Sequence, residues 1–324
     1  MKKNQPCFIL NSFVILTILA WNYSLHAAEV TIMAKVPQPK AEYSVYKMEG
    51  APVNNKEIIA RCANIAKVSG FKSFSREMMK PVEDRLAMLG DEIQLSMNTS
   101  GSEFFYSNFP ALKLTEKTGR LYSDEEAIKL SHNYLKKAGL MPRYEQELKI
   151  DHVGGIMQML SNGKSPEKKA VVVYFRRELD GIPVRNFGSS ITVTLAESEI
   201  PVGVQYHWRE VASRSKVSSR SFLNADEITQ LIKEDINRVY AKDAKVTVDT
   251  VALVLYDNGG DYIQPAYLYE GISKSSVRGV SDMPVLGYVA ALKKVYEPIH
   301  HPAYSAELKT PTVRIEKPSH DKDE

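Results

Sequence analysis

The chain has 324 residues, of which 44% are hydrophobic and 25% charged, with a formal net charge of +3. That length can bury more than one core. The near-neutral balance lacks the basic excess of a nucleic-acid groove, and two cysteines cannot build a disulfide framework.

The chain opens with Met1-Lys2-Lys3, then a mostly apolar run from Phe8 to Trp21, then Leu25-His26-Ala27-Ala28. A basic n-region, a short apolar stretch and small residues at the end read as a secretory signal peptide over residues 1–28. Cleavage is expected at Ala27 or Ala28, giving a periplasmic or secreted protein; a retained N-terminal anchor is the alternative. The apolar run is short for a membrane span, and no later run approaches about 18 residues. Cys7 precedes the apolar run, so it is not a lipobox cysteine. Losing Lys2 and Lys3 takes the formal charge from +3 to about +1 and leaves Cys62 without an intramolecular partner.

Three helices are predicted by one device, a polar cap with Glu three residues on: Asn54 and Glu57, Ser123 and Glu126, Asn224 and Glu227. The first spans 55–68 with Ile58, Cys62 and Ile65 inward. It is followed by strands at 92–98 and 103–107, separated by Thr99-Ser100-Gly101. The second spans 124–138 and stops at Gly139. It is followed by strands at 148–153, 155–160 and 170–178, then by the turn Asp180-Gly181-Ile182-Pro183. In 190–195 and 203–211 apolar and polar residues alternate with period two, which means one buried and one wet face. The basic run 212–220 and residues 113–121 read as linkers. The third helix spans 225–240, with strands at 245–256, 263–270 and 286–294 after it. Beyond Glu297 the chain is rich in Pro, His and charge, and reads as a flexible tail. The expected fold class is α+β: two to three modules, each a helix packed on a curved antiparallel β-sheet. Their expected bounds are 29–120, 121–215 and 216–297, with the tail at 298–324.

Candidate chemistry is sparse. A zinc site needs several His, Cys or carboxylate ligands converging on one ion. His132, His152 and His207 stand alone, and His300, His301 and His320 read as solvated tail. Gly188-Ser189-Ser190 lacks the second glycine of a nucleophile elbow. Cys62 reads as a buried thiol. Asp257-Asn258-Gly259-Gly260-Asp261 reads as a hairpin turn instead of a calcium loop, because Asn-Gly is a turn signal and the terminal Glu is missing. Trp208 continues the inward face set by Val204 and Tyr206. Tyr262, Tyr267 and Tyr269, near Tyr256, are the candidates for a partner-binding surface, since aromatics are enriched at interfaces. No catalytic, cofactor or metal residue is assigned.

Residues 171–211 combine a strand, a D-G-I-P-V turn, a G-S-S-I-T-V strand and a V-G-V-Q-Y-H-W-R strand. Residues 222–292 combine the capped helix Leu223-Asn224-Ala225-Asp226-Glu227 with strands ending Val254-Leu255-Tyr256, Ile263–Tyr269 and Tyr288–Leu292. The first resembles the FTP module and the second the PepSY module, the propeptide-type units of thermolysin-like metalloprotease precursors. The resemblance implies a cystatin-like or PepSY-like fold and a role in inhibiting a protease or assisting its folding. No HExxH occurs in these 324 residues, so such a role is expected to be exerted in trans. The expectation is a non-enzymatic exported binding protein with a protein partner, without cofactor or nucleic acid. The alternatives are an exported hydrolase with an unrecognised site, or a structural or sensory envelope protein.

Overall fold

The computed structural model describes residues 28–302 except 40–41, 51–52, 91, 114–118, 159–165, 241–243, 275–280 and 301. The α-helices described are α1 (Asn55–Val68), α2 (Asp124–Ala138) and α3 (Ala225–Val239). Ser123 and Asn224 form full capping boxes with Glu126 and Glu227, each satisfying two free amides. Asn54 accepts from the Glu57 amide, but the Glu57 carboxylate turns outward to Arg61 at 2.6 Å, so this box is half made.

The strands in chain order begin with β1 (Glu29–Ile32), β2 (Glu42–Met48), β3 (Lys80–Val82), β4 (Arg85–Leu89), β5 (Ile93–Asn98) and β6 (Glu103–Asn108). Then come β7 (Leu148–Gln158), β8 (Glu167–Leu179), β9 (Ile182–Arg185), β10 (Ser190–Leu195), β11 (Gly203–His207) and β12 (Val211–Ser218). After α3 follow β13 (Lys245–Tyr256), β14 (Tyr262–Lys274) and β15 (Met283–Ala290).

All belong to one mixed sheet of 15 strands. One half is antiparallel in the order β7-β8-β10-β11-β6-β5-β4-β3. Its inner face carries two in-register apolar rows. One runs Phe175, Ile191, Tyr206, Phe104, Met97, Leu86; the next runs Val173, Val193, Val204, Tyr106, Leu95, Met88. Helices α1 and α2 lie together on these rows in one core. They are tied by Asn64 Nδ2 to Ala138 O (3.0 Å) and by the Ser69 and Tyr134 hydroxyls (2.8 Å). In the other half β13 and β14 pair antiparallel, β15 flanks β14, and β1 runs parallel to β13. Ile228, Ile232 and Ile236 of α3 fill the core over this half.

Strand β9 joins the halves. It returns from β8 through Asp180-Gly181, both at positive φ (53° and 74°), as a two-residue type I′ hairpin requires. It then pairs parallel with β13, Val184 beside Leu255 and Arg185 beside Tyr256.

This architecture corrects the α+β module expectation. The elements form a continuous sheet, in which helices α1 and α2, assigned by sequence to separate modules, share one core. Strands β1 and β2, assigned to the N-terminal module, pair with β13 and with β12 and β14 of the C-terminal half. Capping and periodicity act over a few residues, whereas strand partners are chosen by burial across the whole chain. The basic run 212–220 is largely strand: β12 pairs with β2, with Lys216 on Glu42 at 2.7 Å. The tail assignment also shifts. Pro298 O accepts from Asn258 Nδ2 (3.2 Å), the Tyr256 hydroxyl bonds His300, and Ile299 packs against the buried cluster of Val254, Tyr256, Ala266, Leu268 and Tyr288.

Candidate functional site

The helices cover one face of each half of the sheet. The opposite faces line a common groove of about 860 Å³. One wall comes from β7, β8 and β10, with Asp151, His152, Tyr174, Arg176 and Thr192; the other comes from β13, β14 and β15, with Thr250, Ala252, Leu268, Glu270, Leu286 and Tyr288. Period-two alternation produces these walls: Val173 and Phe175 point into the core, so Tyr174 and Arg176 must point out.

Asp151 organises the first wall. Its Oδ1 accepts from Arg185 Nη1 at 2.8 Å, and its Oδ2 lies 3.1 Å from His152 Nδ1 and 3.8 Å from Arg176 Nε. Burial opposes its ionisation, but Arg185, then His152 and Arg176, outweigh burial and hold the carboxyl below its ordinary value. The His152 ring stacks on Tyr174 with centroids 4.1 Å apart. Arg176 Nη1 donates to Asn186 O at 2.5 Å, which anchors the guanidinium at the groove mouth. The second wall is more apolar; Val254, Tyr256, Ala266, Leu268 and Tyr288 cluster on it.

Beneath the junction of the halves lies a buried polar network. Arg177 is fully buried, with Nε 3.0 Å from Glu147 Oε2, Nη2 donating to Arg209 O at 2.7 Å, and its guanidinium 4.0 Å over the Trp208 ring. Burial pushes the Glu147 carboxyl up, against the pull of Arg177. Ser189 Oγ donates to Asp257 Oδ2 at 2.5 Å, and Asp257 Oδ1 accepts from Gly259 N at 2.9 Å. A Cβ at Gly188 would collide with the Asp257 carboxylate, so the loop approaches this closely only through glycine. The serine is 1% exposed and spends its hydroxyl on Asp257. This arrangement clasps the two halves and presents no nucleophile to solvent.

The residues singled out by sequence fall as follows. Tyr267 and Tyr269 are 1% and 0% exposed under α3, so they do not form a partner surface. Their alternation signals a face, and α3 covers that face. The Tyr269 hydroxyl donates to Asp235 Oδ2 at 2.6 Å, and Tyr267 donates to Pro37 O at 2.8 Å. Tyr262 is half-buried and packs its ring on Tyr296, 5.4 Å between centroids. Trp208 is buried. Cys62 is buried in α1, and burial pushes its thiol up to about 12. His132 meets Phe175 edge-on at 5.1 Å, and His207 lines a small cleft beside Trp208. Ala28 is buried at the start of β1, where Glu29 N donates to Ala244 O at 3.0 Å. Ala27, His301 and His320 lie outside the described residues. Among the described residues no three His, Cys, Asp or Glu side chains are placed to hold one metal ion, and no helix is long and apolar enough to cross a membrane.

Sequence reasoning missed the groove, because its walls come from strands up to 137 residues apart in the chain, from Asp151 to Tyr288. The one usable signal was the wet face of the alternating strands. A second, apolar hollow of about 710 Å³ lies at the far edge, beside Met78, Val82 and Leu89. Edge strand β3 there reads Lys-Pro-Val, a blunt edge that resists strand pairing. No family model and no curated protein matches this chain. Among solved structures it is similar to an uncharacterized protein from Eubacterium rectale, with 10% identity, 84% of this chain and 90% of that chain covered, and a TM-score of 0.44.

Proposed function

We propose that this protein is an exported, non-enzymatic binding protein that holds a protein partner in the groove between the open faces of its two sheet halves. The observation carrying this reading is the groove itself: two helix-free walls, one polar and one largely apolar, facing a shared space of about 860 Å³. Recognition grooves of this kind combine apolar contact with a few orienting polar groups. The FTP-like and PepSY-like sequence patterns favour an exported protease as the partner, inhibited or helped to fold in trans.

The test is proteolysis by the native secretome with and without the purified protein, alongside Leu286→Arg, which places a charge at an exposed apolar residue of the groove lining. Slowed proteolysis by the wild type and not by the variant supports the reading. Equal inhibition by both would move the contact elsewhere on the surface. Absence of any effect on secreted proteases would remove the protease partner. Peptidase or esterase turnover by the chain alone would replace the binding role with an enzymatic one.

A further inference from the structure

The hairpin that joins β13 to β14 holds a later piece of the chain by its main chain. Gln264 is 1% exposed, and its side-chain amide turns to that piece. Its Oε1 accepts from Tyr296 N at 2.8 Å, and its Nε2 donates to Glu297 O at 2.5 Å. Asn258 Nδ2 donates to Pro298 O at 3.2 Å. The Tyr256 hydroxyl accepts from His300 N at 3.1 Å and donates to His300 O at 3.3 Å. Bonds to backbone atoms hold a segment whatever its side chains are, and the pockets beside them set its sequence.

Two side chains of the segment are read as well. The Glu297 carboxylate accepts from Asp261 N at 2.9 Å. A Cβ on Gly260 would lie 2.9 Å from Glu297 Cδ, so the carboxylate fits there because residue 260 is glycine. Ile299 packs on the buried cluster of the apolar wall, and Pro302 lines the groove. The chain's own segment therefore closes one end of the groove. The burial is one-sided. Tyr256 and Gln264 are 1% exposed, whereas none of residues 293–300 is buried. Lys293 N donates to Ser221 O at 2.9 Å, and only Lys294 and Val295 separate that tie from the seated residues. Lifting residues 296–300 away thus removes a strap from the surface and leaves the sheet and its helices intact.

We propose that residues 296–300 are a removable intramolecular ligand, and that the partner replaces them with a segment carrying a carboxylate two residues before an apolar side chain. The partner's carboxylate goes to the Asp261 amide, its apolar side chain takes the place of Ile299, and its main chain lies on Gln264, Asn258 and Tyr256. This rests on the reading of the groove as the partner site and names what the partner presents there. A short tether gives the strap an effective concentration in the millimolar range, so it outcompetes a dilute free segment. The partner's apparent affinity is its intrinsic affinity scaled by the fraction of molecules whose strap is lifted.

The experiment is fluorescence anisotropy of a labelled acetyl-Tyr-Glu-Pro-Ile-His-amide, titrated with the chain from Ala28 to Glu324. Glu297→Ala and Ile299→Asp alter the strap and leave the cradle as it is. Against wild type, Ile299→Asp should tighten peptide binding about tenfold and Glu297→Ala about fivefold. Adding Gln264→Ala to Ile299→Asp should remove the gain. A labelled peptide with Gln for Glu and Asp for Ile should bind none of these proteins. Equal binding of the first peptide to wild type and both strap variants would show that the strap does not occupy the site, and no binding to any would show that the cradle takes no free segment; either overturns the proposal. Binding that survives Gln264→Ala lies elsewhere and overturns it too. In the secretome assay, Ile299→Asp should slow proteolysis more than wild type does. A wild-type effect that Ile299→Asp does not increase would overturn the exchange while the groove reading stands. If the peptide results hold and neither protein affects proteolysis, the strap stands and the protease partner falls.

Discussion

Replacing Arg177 by Leu tests the clasp between the halves of the sheet. The side chain is fully buried and carries four contacts: the ion pair to Glu147 at 3.0 Å, the hydrogen bonds to Arg209 O at 2.7 Å and Ser189 Oγ at 3.3 Å, and the stack on Trp208 at 4.0 Å. Removing one member of a buried ion pair costs about 3–5 kcal/mol, mostly because the other charge is left without compensation. Glu147 retains 15% side-chain exposure, so water relieves part of that cost and a loss of about 3 kcal/mol is expected. The loss should depend on pH. Burial already raises the Glu147 carboxyl, and without Arg177 it rises further. A carboxyl whose folded pKa exceeds its unfolded value binds more protons folded than unfolded, so stability falls as pH rises through that window. The deficit of Arg177→Leu should therefore be largest near neutral pH and shrink as the pH is lowered toward the ordinary carboxylate range. Arg177→Leu with Glu147→Leu should recover most of the loss, since an apolar pair leaves no buried charge. The assay is urea denaturation followed by far-ultraviolet circular dichroism across that pH range. A single-variant loss below about 1 kcal/mol, or a double variant no more stable than the single, would refute the buried-pair reasoning.

Trp208→Ala should cost about 3–5 kcal/mol, because the ring is buried against Arg177; ready iodide quenching of Trp208 in the wild type would contradict that placement. Tyr269→Phe removes the 2.6 Å bond to buried Asp235 and should cost about 1–3 kcal/mol, read as a shift in the urea midpoint with no change in partner capture. Cys62 should resist thiol reagents at mildly alkaline pH in the folded protein and label rapidly in urea, as burial holds the thiol up near 12; fast labelling without denaturant would show that α1 opens locally. The proposed export predicts that N-terminal sequencing of the protein from the periplasmic fraction begins at Ala28 or Glu29, and recovery of Met1 from the membrane fraction would point to a retained anchor.

The helices were legible because their signals are local. Asn54, Ser123 and Asn224 act on amides within one turn, and the apolar spacing that follows selects one face. The alternation of Ser190–Leu195 likewise located both its strand and its buried face, since successive strand side chains point to opposite sides. The turn at Asp180-Gly181 was visible because few residues tolerate positive φ. Tertiary structure decided the rest. β12 carries five consecutive exposed positions and no apolar alternation, so only its ladder with β2 makes it a strand. Tyr267 and Tyr269 carry the same period-two pattern as an open face, and it takes α3, whose helix starts 42 residues before Tyr267, to bury them. Arg176 and Arg177 are adjacent and chemically alike, yet the pleat sends one to the groove and the other to the core. The groove exists only where distant strands meet, because the pairing that sets Arg185 beside Tyr256 and Glu270 beside Thr250 follows from burying both sheet halves under their helices.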